Sequence, residues 1–410
     1  GGTVEVKNWT AIGRSGIGLL EISGGLWKNT TAGNFAIGTG TGGNNSGVVT
    51  VKGTGTLEVI GRTLAIRESF GTNSQGTLNL SESGVVKATT VDFGLTGGAS
   101  VGTGTLNVTG GNLWTNTISK TGAGTTAVIN LSGGTLGALD NNATWSVGMA
   151  LTSGTTTIAA RDFAGVARSI TISGALSGAG SLTKTGNGTL TLSGTNTLTG
   201  NVTADTGTLT ISGTHQSATS INANNGSTVN FSANNFFTAN HSTAAAIARS
   251  ITASNGGNLV FSSTTEARLG NIQLSGGTFT SNRGISGFDI LLADVSTGAA
   301  TVSVIGSSAS AMNGSGGLHL LGLQNFDVAD VTSSSTADLV VSLQLADSGT
   351  QGANTAGGIN KTGAGTMSLT NANNNFTGDI TVGAGTLEVG DAGRLNAGSY
   401  AGSVTNNGAL

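Results

Sequence analysis

The feature that most restricts the fold is a recurring pair of apolar residues. Leu20/Ile22, Val49/Val51, Leu78/Leu80, Leu106/Val108 and Ile129/Leu131 each set two aliphatic side chains two residues apart. Their first members are spaced by 29, 29, 28 and 23 residues. A two-residue period is that of a strand with one buried face. A second run follows in each unit, at Ala36–Ile37, Leu64–Ala65–Ile66, Val91–Asp92–Phe93 and Thr117–Ile118. No single unit has enough apolar surface to form a core, so each needs a neighbour above and below, one rung per repeat. Parallel stacking buries one side-chain set and pairs the interior backbone with the rungs on either side. Because the period sits in whole units rather than in hairpins, a parallel β-solenoid is expected rather than an antiparallel sandwich.

Composition fits a solenoid and excludes several alternatives. Glycine is 71 of 410 residues and proline is absent. Gly, with Asn, Thr and Asp, supplies the turns. A rung bonded on both edges has few places for a residue without an N–H. The glycines lack the every-third-residue spacing of collagen, and 36% of residues are hydrophobic, which separates the chain from disordered linkers. Charged residues are only 9%, against about 25% in ordinary domains, so Thr, Ser, Asn and Gly must cover the surface. A net charge of -3 offers no basic face, so no nucleic-acid partner is expected. With no cysteine there is neither a disulfide framework nor a thiolate metal site. No apolar run approaches the ~18–20 residues of a membrane-spanning helix, so no membrane span is expected in this chain. The chain opens at Gly1 without Met or a secretory leader, as expected of a processed or excised polypeptide.

The sequence divides into four stretches. Residues 1–144 carry the regular repeats of about 23–29 residues, and 145–215 form a first extended block. Residues 216–335 are less regular, with pairs at Val229/Phe231, Leu259/Phe261, Ile272/Leu274, Val302/Val304 and Leu318/Leu320. Ser242–Ile251 there is the one stretch whose alanine run suggests a helical turn. Residues 336–410 form a second block and a C-terminal strand. The two blocks copy each other: Lys184 aligns with Lys361, Leu190 with Met367, Leu192 with Leu369, Thr199–Gly200 with Thr377–Gly378, and Gly207–Thr208–Leu209 with Gly385–Thr386–Leu387.

These blocks resemble the autotransporter-associated β-strand repeat, also called the passenger-associated transport repeat. The resemblance rests on Leu182–Leu190 and Ile359–Thr366, each followed by an Asn-rich turn with Thr–Gly and then by Gly–Thr–Leu. It covers about a quarter of the chain. It implies an all-β fold, specifically a single-stranded right-handed parallel β-helix (β-solenoid), and secretion to the extracellular space or the bacterial cell surface. It carries no catalytic residues, because the repeat is a scaffold. The C-terminal outer-membrane barrel common in the family is not encoded in these residues.

Candidate chemistry is sparse. Asp289, Asp294, Asp327, Asp330, Asp338 and Asp347 fall in one segment, but only Arg283 accompanies them as a cation. A polysaccharide-active β-helix enzyme, with its Ca²⁺ carboxylates and sugar-side base, is therefore a remote alternative, and solvated turn aspartates are the plainer reading. His215, His241 and His319 are too scattered for a metal or catalytic group. Lys184 and Lys361 recur with the repeat, which favours a turn or stacking role. The Gly–Thr–Gly runs at 40–42, 53–55 and 102–104 lack a following helix and do not read as nucleotide loops. The many Thr pairs do not recur on one face, as ice binding would require. For Trp9, Trp27 and Trp114 two readings stay open, an exposed sugar-stacking stripe or burial against an outer loop. Neither a metal, a cofactor nor an enzymatic activity is expected.

The ends carry the main site expectation. Thr3, Val4, Glu5, Val6 and Lys7 open the chain in a strand, and Val404, Thr405, Asn406, Asn407, Ala409 and Leu410 begin a rung that stops. An open solenoid end exposes unpaired N–H and C=O groups. Head-to-tail stacking satisfies both ends and builds a filament. The leading expectation is thus a non-enzymatic, self-assembling extracellular fibre subunit whose partner is another copy of itself. The alternative is a monomeric autotransporter-type passenger acting as an adhesin stalk, touching surface glycans or neighbouring cells.

Overall fold

A computed structural model describes all residues except 31–32, 69–70, 95–100, 215–219, 233–249, 263–266, 283–289, 293–300, 305–307, 349–354 and 409–410. The chain forms two compact units, Gly1–Gly200 and Asn201–Leu410. Each is a parallel β-helix. Among the described residues every pairing between strands is parallel, and the single antiparallel contact is an isolated bridge, Arg161 to Ala167.

In the first unit a coil has three sides. Ile17–Ile22, Ser46–Val51, Ser74–Leu80, Gly102–Val108 and Thr125–Leu131 stack along one side. The apolar pairs read from the sequence are register partners there: Leu20 lies opposite Val49, Val49 opposite Leu78, Leu78 opposite Leu106 and Leu106 opposite Ile129. A second side carries the second runs, with Ile37 opposite Ile66, Ile66 opposite Phe93 and Val91 opposite Ile118. The third side was not apparent in the sequence. It is built of Leu26–Asn29 and the first halves of the long strands Thr56–Ile66, Val85–Phe93 and Asn112–Lys120, which turn the corner without a break in strand structure.

Inward residues of the three sides make one continuous core: Val49, Leu57, Leu64, Leu78, Val86, Val91, Leu106 and Leu113 are fully buried. Burying such a side chain contributes about 1.5–3 kcal/mol, while each ordered residue costs about 1–2 kcal/mol of backbone entropy. A lone coil cannot offset that cost, which is why coils occur only stacked.

The second unit repeats the scheme. One side runs through Ser220–Ala223, Ser250–Ser254, Asn271–Ser275, Thr301–Val304, Leu323–Val328 and Gly358–Thr362. A second runs through Thr228–Phe231, Asn258–Phe261, Thr278–Ser281, Ser310–Asn313, Leu339–Val341 and Thr366–Leu369. Val229 and Phe231 pair with Leu259 and Phe261, and Ile272 and Leu274 with Val302 and Val304, as their spacing suggested. Among the described residues, each strand of both sides between Ser250 and Val328 pairs with the strand of the next coil. Phe231 and Phe261 stack with ring centres 4.3 Å apart, and Phe279 follows at 5.2 Å. Most of the suggested helical turn at Ser242–Ile251 lies outside the described residues, and its last two residues, Ser250 and Ile251, begin a strand.

Candidate functional site

The lysine turn is the feature that the two extended blocks share. In Ser181–Thr185 and Gly358–Thr362 alternate side chains face the core, and Lys184 and Lys361 occupy inward positions. Both are fully buried. The Lys361 Nζ donates to the carbonyl oxygens of Thr362 (2.8 Å), Gly363 (2.8 Å) and Ala384 (3.1 Å), and the Lys184 Nζ donates to Gly186 O. Buried turn carbonyls need a donor, and an ammonium with three N–H groups supplies it to Thr362, Gly363 and Ala384 at once. Burial pushes both ammonium groups down to about 8. The glycines of the motif have a steric reason. Gly363 has φ +76°, and a Cβ there would fall 2.4 Å from Val328 O. Gly385 has φ +67°, with Gly365 O at the same distance from its Cβ position. Gly186 and Gly207 match them at +79° and +67°.

A second shared element escaped the sequence reading. Asn196 and Asn374, each three residues before the Thr–Gly pair, are buried. The Asn196 Oδ1 accepts from Leu176 N (2.9 Å) while its Nδ2 donates to Gly194 O (3.1 Å). The Asn374 Oδ1 accepts from Leu345 N (3.0 Å) and its Nδ2 donates to Asn371 O and Arg394 O. Each amide therefore joins the turn to the coil before it. Only the three-residue offset to Thr–Gly distinguishes these two from the other asparagines of their turns.

The described aspartates act as turn acceptors. Asp338 receives Val331 N, Thr332 N and Thr366 N at 2.8–2.9 Å. Burial raises its carboxyl, but the backbone N–H groups of Thr366, Thr332 and Val331 outweigh it and hold the group below the usual carboxylate range. Asp347 receives Gly357 N, Thr377 N and the Thr377 hydroxyl. Asp330 receives Ser333 N and Asp327 the Thr362 hydroxyl. Asp289, Asp294, Arg283, His215 and His241 lie outside the described residues, and His319 is buried in the strand Gly317–Leu320. Among the described residues no cluster of three His, Asp or Glu side chains is arranged to hold a metal ion.

The tryptophans do not form one stripe. Trp114 is buried beneath the 161–168 loop, edge-on to Phe163 at 5.7 Å, with Arg161 5.1 Å from its ring centre. Trp145 is in the core, and its Nε1 donates to Thr115 O. Trp27 is half-buried against Phe35. Trp9 is exposed.

The outer side of the first unit carries an amide ladder. The Asn130 Nδ2 donates to Asn107 Oδ1 and the Asn107 Nδ2 to Asn79 Oδ1, both at 2.9 Å. Asn79, Ser81, Asn107, Thr109, Asn130, Ser132 and Thr152 line a shallow groove of about 520 Å³ there.

Of the expected assembly edges, Thr3–Val6 pairs with Leu26–Asn29 and Val404–Asn406 with Ile380–Val382, each along one edge. Lys7 follows the first strand and is exposed. Asn407 N donates to Val382 O (2.8 Å), and Ala409 and Leu410 lie outside the described residues.

Comparison with known proteins agrees with the repeat geometry. The passenger-associated-transport-repeat family model matches residues 182–211 and 359–389. These are the two segments that hold the buried lysines and asparagines. No curated protein and no solved structure matches the chain.

Proposed function

We propose that this chain is passenger sequence of an autotransporter-type protein, carried to a bacterial surface, where its β-helix serves as a non-catalytic adhesin stalk. The observation that carries this reading is the pair of passenger-associated transport repeats, each with its lysine and asparagine turned inward to hold the turns of a parallel β-helix. Asp327, Asp330, Asp338 and Asp347 each accept hydrogen bonds from neighbouring backbone or hydroxyl groups, the structural part that a stalk asks of them. The test is antibody labelling of intact source cells expressing the full gene. Labelling that protease treatment of whole cells removes is the expected result. Labelling only after the cells are opened would defeat the proposal. Glycan cleavage lost in Asp327→Ala or Asp330→Ala would favour the enzyme reading instead.

A second reading is head-to-tail stacking through Thr3–Val6 and Val404–Asn406. Both strands are exposed and bonded along one edge. Such an edge accepts a further coil of the same polypeptide or of another copy. Electron microscopy at raised concentration separates the two: filaments support stacking, and discrete particles with no end-to-end growth exclude it.

A further inference from the structure

One corner of the first unit has side chains that a stalk does not use. Trp9, Arg14, Ser15, Thr39, Thr41 and Glu68 enclose a cavity of about 200 Å³. They come from three successive coils: Trp9 precedes the strand that ends at Ile12, and the others follow Ile12, Ile37 and Ile66, which are register partners. The floor is buried: Glu68 is 8% exposed and Thr39 5%. The rim is open, with Arg14, Ser15 and Thr41 exposed and Trp9 at 36%.

The polar groups that line it are specific in kind. The Trp9 Nε1 donates to Glu68 Oε2 at 3.4 Å, which aims the carboxylate toward the indole. Burial raises the Glu68 carboxyl, and its bonds with Trp9 and Asn34 oppose that shift. The Arg14 guanidinium lies 4.8 Å from the Trp9 ring centre and, among the described residues, forms no ion pair. The cavity thus holds one cation, one carboxylate, three hydroxyls and an indole. Its formal charges cancel, so it favours a neutral ligand over an anion or a cation. Donors and acceptors are both present, which suits a ligand whose every polar group is a hydroxyl. The indole adds an apolar surface beside them. At 200 Å³ the volume falls below the ~300–1,000 Å³ of clefts for drug-sized ligands, so it admits one ring and not a chain.

We propose that this corner binds a single neutral pyranose unit of a glycan, with Glu68 accepting from ring hydroxyls, Arg14 donating to them and Trp9 flanking the ring. The site goes beyond the stalk reading and fails separately from it. The stalk reading is tested on intact cells and this one on the purified protein in solution.

The test uses the full chain labelled with fluorotryptophan and followed by fluorine NMR. Four tryptophans give four resonances, and Trp9→Phe assigns the relevant one. The probes are the methyl glycosides of glucose, galactose, mannose and N-acetylglucosamine, with methyl glucuronide as the anionic control. At least one neutral glycoside is expected to shift the Trp9 resonance saturably. Glu68→Gln is expected to weaken binding roughly tenfold or more, the loss typical of a hydrogen bond to a charged group. Because Glu68 is buried, Thr41→Phe provides an independent variant: it fills the exposed mouth and should abolish the shift. The other three resonances report that each variant is folded. The proposal is overturned if no neutral glycoside moves the Trp9 signal, if only the glucuronide does, or if folded Thr41→Phe binds as the parent does.

Discussion

Lys361 and Ala384 belong to different turns of the β-helix, and the buried ammonium of the first donates to the carbonyl of the second at 3.1 Å. The same nitrogen also holds the carbonyls of its own turn, Thr362 and Gly363. Lys361→Met keeps the length and apolar stem of the side chain but leaves these acceptors without their donor. An unsatisfied buried polar group costs about 1–3 kcal/mol, so the variant should lower the urea midpoint by a corresponding amount. A midpoint equal to or above that of the parent would show that the desolvation of the charge outweighs its bonds.

The two buried lysines also set a pH dependence. Both lose their proton near 8 in the folded chain, against an ordinary value of 10.5. Between these values the unfolded chain binds more protons than the folded one, so their contribution to stability rises with pH; below 8 it is flat. Tyr400 acts in the opposite sense only above pH 10.0, because burial and then Asp379 and Asp347 raise its folded value to about 12. Urea midpoints from pH 7 to pH 10 should therefore climb in the parent relative to a Lys184→Met/Lys361→Met double variant. Parallel curves would refute this assignment.

Burial separates two asparagine substitutions that look alike in sequence. Asn374→Ala strands Leu345 N and the carbonyls of Asn371 and Arg394 inside a turn, and a loss of about 1–3 kcal/mol is expected. Asn107→Ala interrupts the outer amide ladder, where water replaces the missing partner and a loss within about 0.5 kcal/mol is expected. Paired denaturation curves decide the point, and equal losses would contradict it.

Phe261 lies between Phe231 and Phe279 in the core of the second unit. Phe261→Ala should cost about 3–5 kcal/mol. Solenoid coils interact chiefly with their neighbours, so amide exchange should quicken in Thr228–Phe231, Asn258–Phe261 and Thr278–Ser281 and stay slow in the first unit. Uniform acceleration across the chain would mean that the two units unfold together.

The coil was legible because its core follows one simple rule. Leu20, Val49, Leu78, Leu106 and Ile129 recur at rung spacing because each must sit on the last. The third side was not legible: segments such as Val85–Ala88 offer few inward residues and merge with the next side. Lys184 and Lys361 stood out as repeats, but a charged residue is rarely found buried, and only the carbonyls around it explain the exception. Trp114 gave no sign of which loop covers it, because Phe163 lies a coil and more away in sequence. The Trp9 cavity was hidden for a related reason. Trp9, Thr39 and Glu68 meet only when three coils are laid in register.

Parallel stacking also fixes how the molecule answers to mechanical load. Hydrogen bonds between coils run along the helix axis, so tension applied along that axis loads one rung at a time and peels it, much as a zipper opens. A coil of 29 residues, the offset from Thr50 to Asn79, releases roughly 100 Å of extended chain as it comes away. Peeling meets more resistance where side chains also bind one coil to the next, at Lys361 with Ala384 and at Asn374 with Leu345. The turns that hold the fold together at rest are thus the points at which its unspooling under force would pause.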